Sequence, residues 1–306
     1  MKSIKKWILS NPAFCFPLVA SYKLIWIILA KLLSDEQYIK LRFRYVFHKP
    51  CNLNNPLTFN EKLNWMKLYG RDPKYTLMAN KYLVKDYVRR IIGDVYVVPN
   101  YGCWKSFKEI EFDSLPNQFV LKATHDSSGA TICKDKFTFD KRKAKSKFDK
   151  CLKRNYFYLT REWVYKDVVP MIIADMLLDD NTGSELTDYK FWCFNGEPKV
   201  MYITNKGEHI YENFYDMNYN VLNIDHGFPR RLPEYKKPKE FELMKELAAK
   251  LSAGIPFVRV DFFDIKGKVY FGEYTFYDWG GFGRFKDENW DIKLGSWIKL
   301  PVNKMN

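Results

Sequence analysis

Asp261 and Glu273 flank a short turn signal at a spacing that suits a shared metal ion. The runs Val258-Arg259-Val260-Asp261-Phe262 and Val269-Tyr270-Phe271-Gly272-Glu273 surround Ile265-Lys266-Gly267-Lys268, a pattern that predicts a β-hairpin. Counted from the turn, the two carboxylates face each other across the strands, where facing side chains approach to roughly 5 Å. Carboxylates that close repel unless a cation lies between them. A partial set of hard oxygens, leaving positions for water and phosphate, is what Mg²⁺ takes. The competing reading pairs Asp261 with Arg259 or a nearby Lys and makes Glu273 a loop cap.

Well upstream, the stretch from Phe119 to Cys133 reads as a strand carrying Lys122, a loop His125-Asp126-Ser127-Ser128-Gly129, and a second strand. Such a lid suits a nucleoside triphosphate, with Lys122 neutralising phosphate oxygens while loop N–H groups close over them. Ser-Ser-Gly is also an ordinary hairpin turn, so the segment carries the phosphate reading only together with the acidic pair.

These groups need a frame. Residues 58–92 show helical periodicity, opened by the capping-box pair Thr58 and Glu61 and ended at Gly93. A short strand is expected at Val95–Val98 before Pro99, a helix from Phe139 to Leu152, and a strand from Val168 to Leu178. Tyr189–Phe194 and Lys199–Thr204 flank Asn195-Gly196, the favoured type I′ dipeptide. An amphipathic helix is expected over 240–253, and Trp279–Gly283 reads as a flexible loop beside the acidic pair. Helices and strands alternate without βαβ regularity, so the class is α+β.

In this order the segments Leu57–Trp65, Asn80–Val84, Phe119–Cys133, Ile172–Asp175, Asp188–Gly196, Asn213–Asp216 and Arg259–Phe276 resemble the ATP-grasp superfamily, and within it the TupA-like, teichuronopeptide-synthesis-type branch found in bacterial surface-polysaccharide gene clusters. The resemblance runs from about residue 50 to residue 300. It implies an ATP-grasp-like fold of two α+β lobes sandwiching ATP, behind a helical N-terminal extension. The divisions would be 1–56 for the extension, 57–118 for an αβ region, 119–178 for the lid and 179–306 for the lobe with the metal site. It further implies that Lys122 contacts the α- and β-phosphates while Ser127, Ser128 and Gly129 cover the β/γ region. Asp175, Met176 and Leu178 would line the adenine hinge, and Asp188 would accept from ribose hydroxyls. Asp261 and Glu273, with Thr275 as a neutral donor, would hold Mg²⁺. Arg259, Lys190 and His125 would act on phosphate and on the carboxylate being activated. The implied reaction is carboxylate–amine ligation through an acyl phosphate, on an acidic sugar or amino acid, in surface polysaccharide biosynthesis. Four positions depart from the pattern: Asn80 for Asp, the loop His-Asp-Ser-Ser-Gly for His-Gly-Ser-Gly, Thr275 for Asn, and Asp175 for Glu. A glycosyltransferase of the same pathway and a non-catalytic, membrane-associated assembly factor are the alternatives.

The chain has 306 residues, 47% apolar and 18% aromatic, with a net charge of +14. That length permits a sizeable core. The aromatic excess reads as core and interface material rather than a base-stacking platform, so nucleic acid is not the expected partner. Residues 1–60 hold nine Lys and Arg against Asp35 and Glu36, a basic end suited to nucleotides, anionic lipid or uronic-acid polymers. Six scattered cysteines with no C-x-x-C argue against zinc and fit reduced thiols in a cytoplasm. Ala13 to Leu33 is apolar but interrupted by Pro17 and Lys23, and its uninterrupted core, Leu24 to Ala30, is far short of the ~20 residues a span requires. Residues 1–33 read either as an interfacial helix on the anionic inner face of the membrane, or as a helix packed on the body through Leu24, Ile25, Ile27, Ile28 and Leu32.

Overall fold

The computed structural model describes residues 24–126, 130–180, 186–205 and 210–301. The expected phosphate-loop residues Ser127, Ser128 and Gly129, and residues 1–23, lie outside that set. Among the described residues, ten strands form two antiparallel sheets. The smaller has the order β1 (Asn100–Trp104), β4 (Ile172–Met176), β2 (Phe119–Ala123), β3 (Thr131–Cys133). The larger runs β10 (Lys268–Thr275), β9 (Phe257–Ile265), β5 (Asp188–Phe194), β6 (Glu197–Thr204), β7 (Glu212–Tyr215), β8 (Val221–Leu222). With helices packed on both, the chain has the α+β architecture its sequence predicts.

Two hairpins fix the large sheet. Asn195 (φ 52°) and Gly196 (φ 85°) join β5 to β6, and Lys266 (φ 56°) and Gly267 (φ 85°) join β9 to β10. Positive φ at both central positions is the type I′ geometry whose twist matches the strands. Strand β5 is nearly continuous in apolar character because both of its faces are covered. Phe191 meets Phe241 of the helix Phe241–Ser252, while Trp192 and Phe194 meet Phe59 of the helix Phe59–Tyr69. Side chains two apart share a face, so Asp188 and Lys190 lie on the Trp192 side. The pairings Lys190↔Asp261 and Trp192↔Arg259 put Asp261 and Arg259 there as well. Thr58 and Glu61 form the capping box their spacing predicts.

The small sheet buries Phe119, Leu121, Ile172 and Ala174 against Phe107, Phe112 and Phe148, the last from the helix Lys141–Cys151. Phe107, Ile110, Phe112 and Leu115 thus belong to this core, whereas Leu63, Met66 and Val88 belong to the large one. The stretch 57–118 is shared between the two.

Several local expectations change. Val95 is exposed within a 3-10 turn, Asp94–Tyr96, and the strand starts only at Asn100, because Pro99 has no N–H for a ladder and Gly93 turns the chain at φ 101°. Pro170 delays β4 to Ile172 in the same way. Trp279–Gly283 is no flexible loop. Asp278–Gly281 is a 3-10 turn pinned by Asn64 Nδ2 donating to the Gly281 carbonyl at 2.7 Å and by the buried Lys67 donating to the Gly280 carbonyl. Residues 24–32 are helical but pack through Trp26 and Ala30, and Leu24, Ile25, Ile28 and Leu32 face outward. No helix among the described residues is long and apolar enough to cross a membrane.

The β9–β10 register holds one irregularity that matters for chemistry. Phe271 pairs with Phe262 and Tyr274 with Val260, so Gly272 and Glu273 together oppose Asp261. Without this bulge, Gly272 would face Asp261 and Glu273 would point to the other side of the sheet. A Cβ on Gly272 would lie 3.1 Å from the Asp261 carbonyl oxygen and 3.2 Å from the Phe263 ring. Gly272→Val is expected to lower the urea-unfolding free energy by about 1–3 kcal/mol, whereas Lys268→Ala, at the exposed end of the same strand, leaves it within about 0.5 kcal/mol.

Candidate active site

The carboxylates of the β9–β10 hairpin are enclosed by cations. Arg259 grips Asp261 with two parallel bonds, Nε to Oδ1 at 2.7 Å and Nη2 to Oδ2 at 2.8 Å. The same Nη2 reaches Glu273 Oε1 at 3.4 Å, and Nη1 donates to Asp278 Oδ1 at 2.7 Å and to the Tyr202 hydroxyl at 3.0 Å. Lys190 lies 2.6 Å from Asp261 Oδ2 and 3.1 Å from Asp188 Oδ2. Burial pushes the Glu273 carboxyl up, but Lys81, Arg259 and Lys190 outweigh it and hold the group well below the usual carboxylate range. Burial likewise pulls Lys190 down, and Asp261 and Asp188 more than restore it. Glu273, Lys190 and Arg259 are therefore ionised at neutral pH.

A second cluster sits on the small sheet. Asp175 pairs with Val120 across the β2–β4 ladder, so its side chain shares a face with Lys122, two residues on. Asp175 accepts from Lys122 at 3.1 Å, from Lys85 at 3.0 Å and from Asn100 at 3.1 Å. Burial raises the Asp175 carboxyl, and Lys122 and Lys85 overcome that to leave it low. Met176 continues the strand and donates its N–H to the Pro99 carbonyl at 2.9 Å; Leu178 follows, half-buried.

Lys81 joins the two clusters. Its backbone N–H donates to the Thr124 carbonyl at 3.0 Å, at the end of β2, and its ammonium lies 2.8 Å from Glu273 Oε2. The neighbouring Asn80 side-chain oxygen accepts from the Tyr82 and Leu83 N–H groups at 2.9 and 3.2 Å, an Asx turn that aims Lys81. The amide serves that turn as a carboxylate would, which gives the Asn in place of Asp a local structural account.

The structure thus brings together Lys190, Asp188, Arg259, Asp261 and Glu273, with Thr275 opposite Arg259, and separately Lys122 with Asp175. His125 does not join them. It is buried, its Nε2 lies 3.2 Å from the Cys151 carbonyl oxygen, and burial lowers its basicity. Next to it the Cys151 thiol contacts Asp126 Oδ2 at 2.9 Å. His125 therefore ties the loop's start to the helix Lys141–Cys151. Ser127, Ser128 and Gly129 fall outside the described residues. Sequence reasoning assigned no role to Lys81, Lys85, Tyr202, Asp278 or Glu212. Glu212, on β7, is buried with no partner for Oε2, and burial with Asp278 pushes its carboxyl up to about 8. Lys81 carried a signal in the Asn80-Lys81 pair; Glu212 carried none, since a lone Glu in an aromatic run has no distinctive spacing.

The donor set fits Mg²⁺ in kind. Arg259 Nη2 bridges Asp261 and Glu273, so one cationic point already serves both carboxylates. Among the described residues no group of three or more His, Cys, Asp or Glu has metal-holding geometry; Asp261 and Glu273 alone would be a partial set, for phosphate oxygens and water to complete.

No curated protein sequence gives a significant match. Solved structures similar to this chain include the D-alanine–D-alanine ligase of Bacillus anthracis complexed with ATP, at 14% identity and TM-score 0.39, covering 65% of this chain and 53% of that one. The biotin carboxylase domain of the Hydrogenobacter thermophilus 2-oxoglutarate carboxylase, in complex with MgADP and bicarbonate, is similar at 12% identity and TM-score 0.41, covering 87% and 53%. The ATP-grasp ligase PsnB complexed with a minimal precursor is similar at 8% identity and TM-score 0.38, covering 67% and 54%. This chain spans between half and two thirds of the length of these structures. The TupA-like ATPgrasp family matches residues 61–299. With that match over most of its length, the chain belongs to the TupA-like ATP-grasp family.

Proposed function

We propose that this protein is an ATP-dependent carboxylate–amine ligase that works through an acyl phosphate in bacterial surface polysaccharide biosynthesis, with an acidic sugar or amino acid as the carboxylate substrate. The observation that carries this reading is the meeting of Lys190, Arg259 and Lys81 around Asp261 and Glu273, on strands β5, β9 and β10, at a point tied to the lid strand through Thr124. A phosphoryl-transfer site needs such a cation-rich, partly buried cluster with acidic residues left for a metal.

In this reading Asp261 and Glu273 hold Mg²⁺, which when bound offsets charge on the transferring phosphoryl group. Lys122, half-exposed beside Asp175, turns to the α- and β-phosphates, and Ser127, Ser128 and Gly129 lie over the β/γ region. Asp175, Met176 and Leu178 face adenine, and Asp188 faces the ribose. Lys190 contacts phosphate. An oxygen of the substrate carboxylate attacks the γ-phosphorus while the bond to ADP breaks. The amine then attacks the acyl carbon, phosphate leaves and the nitrogen loses a proton. Arg259 holds Asp261 in place and exchanges its 3.4 Å contact with Glu273 for one to the acyl phosphate. No protein nucleophile is required. His125 acts from behind, by anchoring the loop.

Glu273→Gln is expected to reduce ADP release, measured by a coupled assay with Mg-ATP and candidate acids, by at least about 100-fold, with a small loss of stability because Glu273 is partly exposed. Asp261→Asn should lower both turnover and stability, since it removes the one carboxylate that the buried Arg259 and Lys190 share. Normal ADP release in Glu273→Gln would overturn the assignment.

Lys122→Ala should weaken ATP binding in calorimetry by about tenfold or more, while Lys134→Ala, at an exposed position just past β3, leaves it unchanged. Equal effects would mean that general basic charge drives binding.

Glu212 generates a pH prediction. Its folded-state carboxyl titrates near 8 against an ordinary 4.5, so the folded protein holds a proton that the unfolded chain releases. The resulting destabilisation is absent below about pH 4.5, grows between 4.5 and 8, and is constant above. Glu212→Gln should therefore raise the melting temperature by an amount that increases from pH 5 to pH 8 and then levels off. A pH-independent difference would show that Glu212 is ionised in the fold.

A further inference from the structure

The helix over residues 24–32 turns an apolar side to solvent. Leu24, Ile25, Ile28 and Leu32 are 57%, 55%, 48% and 75% exposed, whereas Trp26 and Ala30 are buried against Tyr38. Positions 24, 25, 28 and 32 recur within one face of a helix. The helix is not free to roll this face inward. Trp26 packs edge-on against Tyr38 at 5.5 Å and Tyr45 at 5.6 Å, Arg42 lies over its ring at 5.4 Å, and Arg161 donates to the carbonyls of Ala30 and Leu33. On the next helix, Asp35–Phe47, Leu41 and Tyr45 are exposed too, and Tyr45 touches Trp26. Both helices thus present exposed apolar side chains. Such a patch is unfavourable in water unless something covers it.

Charge decides between occupants. Lys31 and Arg44 are exposed on these same two helices, and the first sixty residues carry nine basic side chains against two acidic ones. A second copy docked on this face would bring an equal positive charge against it. A surface that is both apolar and anionic suits it, and an interfacial helix with a basic rim binds such a surface reversibly. We infer that the face formed by Leu24, Ile25, Ile28 and Leu32, with Leu41 and Tyr45, docks the protein on an anionic lipid bilayer, the helix lying in the plane of the headgroups. The inference does not depend on the ligase reading, because the face shares no residue with the candidate active site.

Cosedimentation of the full chain with vesicles tests it. Wild type should pellet with phosphatidylglycerol–phosphatidylcholine vesicles, bind phosphatidylcholine alone at least tenfold more weakly, and be released by 0.5 M salt, where screening shortens the reach of charge. The variant with Leu24→Gln, Ile25→Gln, Ile28→Gln and Leu32→Gln should lose anionic-vesicle binding by at least tenfold with an unchanged melting temperature. The charge-reversed variant Lys31→Glu with Arg44→Glu should do the same through a different term. Binding of either variant at the wild-type level would overturn the inference, as would equal binding to both vesicle types. A lower melting temperature in the Gln variant would overturn it in favour of cover by the chain's own N-terminal residues. A wild-type dimer that the variant dissociates, without vesicle binding, would overturn it in favour of a second copy.

Discussion

The Arg259 guanidinium is the point through which the candidate site holds together. Its two parallel bonds fix the Asp261 carboxylate, Nη2 reaches Glu273 as well, and Nη1 reaches Asp278 and Tyr202. A charge buried this deeply is tolerable only when its donors are all paired. Here strand β9 meets its neighbours β5 and β10, β6 next beyond β5 and the turn Asp278–Gly281 in one hydrogen-bonded set. A Lys at 259 would present a point charge without the planar fork, and could not orient Asp261 and reach Asp278 together. The bulge at Gly272 belongs to the same constraint, because only the extra residue brings Glu273 to the face that Arg259 occupies.

That set is linked to the small sheet by Lys81. One residue donates its N–H to the end of β2 and its ammonium to Glu273, so a single residue connects that strand to the hairpin. The Asx turn at Asn80 and the helix Val84–Ile92 behind it stiffen the connection, and Lys85 from that helix reaches back to Asp175. The Asp278–Gly281 turn is held by Asn64 and Lys67 from the helix Phe59–Tyr69. The site is thus framed by helices early in the chain, although most of its acidic groups come late.

What the sequence disclosed was governed by local rules. The Thr58–Glu61 box, the Gly93 stop and both type I′ turns depend on residues a few positions apart, and they stand as the spacing predicts. The hairpin carrying Asp261 and Glu273 was legible, but the count across it was one residue out. Ile265↔Lys268 pairing puts Gly272 opposite Asp261, and the bulge restores Glu273. A bulge has no strong local signature beyond the Gly. The strand expected at Val95–Val98 failed because apolar β-branched residues also suit an exposed turn when Gly93 and Pro99 bracket them. The role of Arg259 in holding Asp278 was not legible at all, since it depends on a contact between a strand and a turn whose Gly-rich sequence reads as mobile. The outward face of helix 24–32 was hidden for a similar reason: periodicity shows that one side is apolar, while the choice of Trp26 and Ala30 as the packed side rests on Tyr38, Arg42 and Arg161.

The same electrostatics explain how so cation-rich a cluster stays folded. Lys122 and Lys85 rest on Asp175, Lys81 rests on Glu273, and Lys190 rests on Asp261 and Asp188, so each cation is compensated by a carboxylate in reach. An anionic nucleotide bound with a divalent ion would exchange these partners rather than add to them. Were Asp261 and Glu273 to hold the ion, Lys81 and Lys190 would be free to meet phosphate, and Lys122 would leave Asp175 to Lys85. Partner exchange costs less than creating unpaired buried charge at either stage. Lys85 and Asn100 hold the Asp175 carboxylate independently of Lys122, and a longer side chain there would have to fold back to keep the same two contacts.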